Sequence, residues 1–129
     1  MQGKIKGLHH VAMNVTSLER SVSFYERAFG FTVMRKWGSP PSAAMLDIGD
    51  GAILELFERP AAPQQEGRLL HIAVRTDDVD AAYARAIDAG ATEQTLPKDV
   101  DIPADPVFPV RLAFVKGPDG EPIELFYER

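Results

Sequence analysis

The chain of 129 residues contains no cysteine. This excludes a disulfide framework and a thiolate nucleophile, and it restricts any bound metal to nitrogen and oxygen ligands. Positive charge is not in excess either. Fourteen Lys and Arg stand against 19 Asp and Glu, a net charge of -5, so nothing in the balance draws the chain to phosphate backbones or anionic membranes. Nucleic acid is therefore not expected as a partner. No apolar run approaches the roughly 20 residues that a membrane helix needs. The opening MQGKIKG carries charge with no apolar segment behind it, so neither a membrane span nor a secretory leader is expected there. A cytoplasmic location is the corresponding expectation. What remains is ordinary in amount, with 45% hydrophobic residues in a length suited to one domain over 1–129 with its own core. Histidine occurs only three times, and two of the three are adjacent in GLHHVAMNV, Gly7 to Val15. Neighbouring side chains on a strand point to opposite faces, so His9 and His10 are not expected to serve one site.

The chain repeats itself. HVAMNVTSLERSVSFYERAFG, from His10 to Gly30, and HIAVRTDDVDAAYARAIDAG, from His71 to Gly90, both begin with His, apolar, Ala, apolar. A helix start follows in each. Thr16 with Glu19 makes a capping-box pattern, and Asp77 with Asp80 an acidic start. Leu18, Val22, Tyr25 and Phe29 then recur at helical spacing, as do Val79, Tyr83, Ala86 and Ile87, before Gly30 and Gly90 close each helix. Strand-like runs follow at 31–37, 43–48 and 52–58 in the first half, and at 91–96, 108–116 and 121–128 in the second. GDG and GPDG join the last pair of each half. The pattern predicts an α+β fold of two βαβββ modules, about 5–60 and 68–129. APQQEG links them, and the Pro-rich LPKDVDIPADPVFP, Leu96 to Pro109, is expected to be a loop.

Strand parity sorts the polar residues. Val11, Met13 and Val15 oppose Leu8, His10, Ala12 and Asn14, while Ile72 and Val74 oppose His71, Ala73 and Arg75. Leu54 and Leu56 oppose Ile53, Glu55 and Phe57, and Ile123, Leu125 and Tyr127 oppose Glu124 and Phe126. Each of these strands thus has an apolar face for the helices and an opposite face bearing one His or one Glu. A carboxylate on a partly buried face is unfavourable unless a positive group pairs with it. The repeat is expected to gather His10, Glu55, His71 and Glu124, a donor set suited to one divalent ion such as Ni²⁺, Zn²⁺, Co²⁺, Fe²⁺ or Mn²⁺. His10 is the expected ligand because it stands in the first repeat where His71 stands in the second. His9 is expected on the helix-facing side or its edge.

The stretches LHHVAMNVTSLERSVSFYERAFGF, ILELF, LLHIAV and GPDGEPIELFYE resemble the vicinal oxygen chelate superfamily, which includes glyoxalase I, methylmalonyl-CoA epimerase, extradiol dioxygenases and bleomycin-binding proteins. The resemblance spans essentially the whole chain. It implies paired βαβββ modules forming an open eight-stranded cup, with metal positions at His10, Glu55, His71 and Glu124. With Glu at 55 the set is most similar to bacterial glyoxalase I. The resemblance then implies a lyase or isomerase acting on a small substrate with two adjacent oxygens, for example a thiol hemithioacetal of methylglyoxal. The metal serves as Lewis acid toward an enediolate, Glu124 as the base, and Glu55 as a ligand with a proton role of its own. Phe57 and Phe126 are implied as walls around the substrate. One position departs from the family. An Arg common four residues after the first ligand is Asn14 here, and Arg75 holds the matching place in the second repeat, which leaves glutathione recognition open. A homodimer is also implied, with the site closed either within one chain or between two. The other readings carried by the same resemblance are an epimerase or oxygenase that uses a metal, and a metal-free protein that binds a small molecule or drug.

Overall fold

The computed structural model describes residues 3, 8–60, 70–104 and 106–129. The APQQEG link lies outside the described residues. The first module is β1 (His10–Val15), α1 (Leu18–Phe29), β2 (Thr32–Trp37), β3 (Ala43–Gly49) and β4 (Ala52–Glu58). The second is β5 (Ile72–Arg75), α2 (Val79–Asp88), β6 (Thr92–Ile102), β7 (Phe108–Lys116) and β8 (Pro122–Glu128). Both follow the expected βαβββ order. The strands stand as two open sheets of four, ordered β1-β4-β3-β2 and β5-β8-β7-β6, with the first strand of each module parallel to its last.

Each helix begins one residue later than its sequence pattern predicts. Ser17, not Thr16, caps α1 by accepting from the Arg20 amide at 3.2 Å, and Asp78, not Asp77, caps α2 by accepting from the Ala81 amide at 3.0 Å. Thr16 is engaged elsewhere. Its amide and hydroxyl donate to the Asp119 carboxylate at 3.0 and 2.5 Å, and Arg20 reaches the same carboxylate at 3.2 Å. The Tyr25 hydroxyl donates to Glu121 Oε2 at 3.1 Å. Burial pushes both Tyr25 and Glu121 above their ordinary pKa ranges. The β7–β8 turn of the second module is thereby fastened to the first. Asp119→Ala leaves Thr16 without its acceptor, and a loss of roughly 2–3 kcal/mol is expected, read as a lower urea midpoint at unchanged slope.

The segment from Leu96 to Pro109, expected to be a loop, is strand over much of its length. β6 runs on to Ile102 and pairs with β7 from Thr92↔Lys116 to Ile102↔Phe108. Pro97 falls in the register shift between Thr95 and Lys98, on the outermost strand of its sheet, where a missing N–H breaks no required bond. Val100 and Ile102 are half-buried while Asp99 and Asp101 are exposed, so a period of two was present beneath the prolines. The second half of the chain is longer than the first because this hairpin is longer.

The helix-facing sides of both sheets contribute to one core. Val15, Val22, Tyr25, Leu54 and Leu56 of the first module form a continuous cluster with Ala86, Ala89, Val115 and Ile123 of the second. Full burial of each large aliphatic side chain there stabilises the fold by about 1.5–3 kcal/mol. The opposite faces, those bearing His10, Ala12 and Asn14 on β1 and Ala73 and Arg75 on β5, are exposed and turned away from this shared core.

Candidate metal centre

The two modules build the same pair of side chains by the same register. In the first, Ala12 is aligned with Glu55 across the parallel β1–β4 ladder, and His10 lies two residues earlier on the same face. In the second, Ala73 is aligned with Glu124 across β5–β8, and His71 lies two residues earlier. This diagonal places His10 Nε2 at 3.4 Å from Glu55 Oε1 and His71 Nε2 at 3.2 Å from Glu124 Oε1. The Glu55 and Glu124 side chains are 10% and 11% exposed, while those of His10 and His71 remain 38% and 36% exposed. Each half-site thus has a sheltered anion and an accessible ring. Burial holds the Glu124 carboxyl above the ordinary carboxylate range, with neighbouring His71 acting in the other direction.

The four expected ligands do not meet within one chain. Among the described residues, no three His, Cys, Asp or Glu side chains lie close enough together to hold a metal ion. The physical reason is the placement of the core. The modules share a core on their helix-facing sides, and the His–Glu pairs lie on the faces opposite that core.

The remaining expected site residues divide between the same two faces. Asn14 is exposed on β1 and aligned with Phe57, and Phe57 is half-buried with its ring edge-on to Trp37 at 6.1 Å. The Arg59 guanidinium lies 5.7 Å from the centre of the Phe57 ring. Phe126 is half-buried, 5.9 Å from Phe108. Arg75, aligned with Phe126, reaches to 4.0 Å from Asp50 in the β3–β4 turn. Both members of that pair are largely exposed, so it contributes little to stability. Arg75 borders a cleft of about 640 Å³, which runs along the turn at Asp50 and the start of α2. Asn14 and Arg75, matched in the repeat, therefore sit on different sheets.

Three neighbours were missed from sequence. Met45 is aligned with Glu55 and Phe114 with Glu124, and the Phe114 ring stands edge-on to His71 at 5.3 Å. Trp37, the sole tryptophan, faces Phe57. The signal for Met45 and Phe114 lies in the alternation of β3 and β7, and that for Trp37 in β2, but alternation assigns a face only once the pairing registers β2–β3, β3–β4 and β7–β8 are known.

His9 is also not where parity places it. It precedes β1, is exposed, and its ring turns back on His10 in a T-shaped contact, with the two Nδ1 atoms 3.0 Å apart. Strand parity does not bind a residue that lies before the strand begins.

A family model described as the Glyoxalase/Bleomycin resistance protein/Dioxygenase superfamily matches residues 7–125. The uncharacterised protein YaeR of Escherichia coli is 30% identical over 130 residues, covering 95% of this chain and 96% of that protein. A protein of Vibrio cholerae named "Probable lactoylglutathione lyase" is 30% identical over 128 residues, covering 93% of this chain and 89% of that one. The crystal structure of a glyoxalase family protein from Enterococcus faecalis shares the fold with a TM-score of 0.75 at 24% identity, over 95% of this chain and 98% of that chain.

Proposed function

The chain belongs to the glyoxalase/bleomycin resistance protein/dioxygenase superfamily, and from that membership and the two His–Glu pairs we propose a divalent-metal-dependent lyase or isomerase of the glyoxalase I type. Its substrate is a small molecule with two adjacent oxygens, such as a thiol hemithioacetal of methylglyoxal. The observation that carries the proposal is the repetition of one His–Glu geometry at 3.4 and 3.2 Å on two faces that point away from the common core. Each face offers half of a four-donor set. The complete set forms between two chains, with His10 and Glu55 of one protomer meeting His71 and Glu124 of its partner in a homodimer.

The donors fit a divalent ion. Neutral imidazole nitrogen and carboxylate oxygen suit Ni²⁺, Zn²⁺, Co²⁺, Fe²⁺ and Mn²⁺, and the chain has no thiolate to favour softer ions. An ion held there by four protein groups supplies Lewis acidity toward two substrate oxygens. The chain's own groups do the rest. Glu124, sheltered beside Phe114 and His71, takes the proton from one substrate carbon and returns it to the next. Glu55, on the other half-site, holds its position against His10 and faces the opposite side of the substrate. Phe57, Phe126, Trp37 and Phe108 exclude water from the reacting carbons. Asn14 supplies a neutral hydrogen-bonding group and Arg75 a cation for an anionic substituent.

Elemental analysis of the purified protein is expected to find about one divalent ion per chain, lost on His10→Ala or His71→Ala. Methylglyoxal turnover should require an added thiol and proceed without oxygen uptake. Oxygen consumption instead points to an oxygenase, and a protein that binds ligand with no metal at all points to a metal-free carrier.

A further inference from the structure

We infer that His9 is a positioning residue for His10, an assignment that builds on the metal-binding role proposed above. Both ring nitrogens of His10 are engaged: Nδ1 lies 3.0 Å from His9 Nδ1, and Nε2 lies 3.4 Å from Glu55 Oε1. A bond between two imidazole nitrogens needs one donor and one acceptor. In the tautomer that carries the His10 proton on Nε2, on the side of Glu55, Nδ1 of His10 accepts from His9. When Nε2 gives its lone pair to a cation, the proton of His10 moves to Nδ1 and the bond to His9 reverses, because His9 can accept there while carrying its own proton on Nε2. Both rings stay neutral in the two arrangements. An imidazole at position 9 therefore supports His10 before and after ligation, holding the ring in one orientation and Nε2 toward Glu55.

The second repeat serves as an internal comparison. Where His9 precedes His10, Leu70 precedes His71, and Leu70 is 75% exposed. The His71 ring is instead flanked by the edge of Phe114 at 5.3 Å. One half-site thus has a polar partner behind its histidine and the other an aromatic one. His9→Leu makes the first half-site like the second at this position, and since His9 is exposed and outside the core the variant keeps the fold.

The test uses the full chain and Zn²⁺. Competition with a chromophoric chelator is expected to give zinc affinity about 10–100-fold weaker in His9→Leu than in wild type. His9→Asn, whose amide can donate or accept, should recover most of that loss. In the zinc-free protein, the ¹⁵N resonance of His10 Nδ1 should shift between wild type and His9→Leu while that of His71 stays in place. A loss of less than tenfold in His9→Leu, or a His9→Asn variant no better than His9→Leu, overturns the inference. A wild-type protein that binds no zinc overturns the metal reading itself. In that event the zinc-free spectra still decide the contact, since an unmoved Nδ1 resonance removes His9 from any role in holding His10.

Discussion

Glu124→Gln is expected to lower kcat for hemithioacetal isomerisation by about 10²–10⁴-fold while the dimer and its metal content persist. Gln keeps the shape and an oxygen that can face a cation, but it cannot accept the proton from carbon. Glu124 fits the role of base because it is sheltered on a sheet face with an imidazole 3.2 Å away. Burial raises its pKa, which makes its carboxylate a stronger base once ionised. The pH dependence follows in sign. kcat/KM should rise with pH as the Glu124 carboxyl ionises, and that inflection should vanish in Glu124→Gln. Stability of the metal-free protein runs the other way. A carboxyl whose pKa is higher folded than unfolded stabilises the fold most below its unfolded pKa, and that contribution is lost as pH rises through the folded one. The Gln variant, having no charge to bury, should lack this part of the pH dependence in urea titrations. Wild-type kcat in Glu124→Gln would remove the residue from the chemistry.

Two inactive proteins should restore one another. His10→Ala/Glu55→Ala lacks every donor of the first half-site, and His71→Ala/Glu124→Ala every donor of the second. If each site is shared across a dimer, either protein alone has no complete donor set. Each mixed dimer then has one intact set and one lacking all four groups. Random reassortment from an equal mixture makes about half of the dimers mixed, so roughly a quarter of wild-type specific activity is expected. The measurement is turnover before and after mild dissociation and reassociation of the mixture. A site closed within one chain gives no recovery at all. The reason to expect recovery is that the described residues bring no three of the four donors together, while Tyr25, Leu54, Val115 and Ile123 join the modules through a core on the other side of their sheets.

The pairs His10–Glu55 and His71–Glu124 were legible because two signals coincide on them. A period of two places each on the less apolar face of its strand, and the internal repeat puts them at matching places. The same parity correctly put Val11, Met13 and Val15 toward the core and left Asn14 and Arg75 outside. What the sequence withheld depends on how elements meet. The separation of the four residues into two pairs follows from the relative orientation of the modules, which no local pattern encodes. Thr16 looks like a helix cap until Asp119, more than a hundred residues later, takes its amide and hydroxyl. The prolines at 97, 103, 106 and 109 hid β6, whose position at a sheet edge and whose shift in register tolerate Pro97. His9 escaped because parity was applied one residue before the strand starts.

The equal two-residue offset between His and Glu in both ladders bears on ancestry. Each module makes its pair from its own first and last strands, with no help from the other half. A chain of half this length, pairing with identical copies of itself, would already have offered the same four donors around one ion. Two such modules joined in one chain need not stay identical, and here they differ at His9 and Leu70, so the surroundings of the two pairs are unsymmetrical.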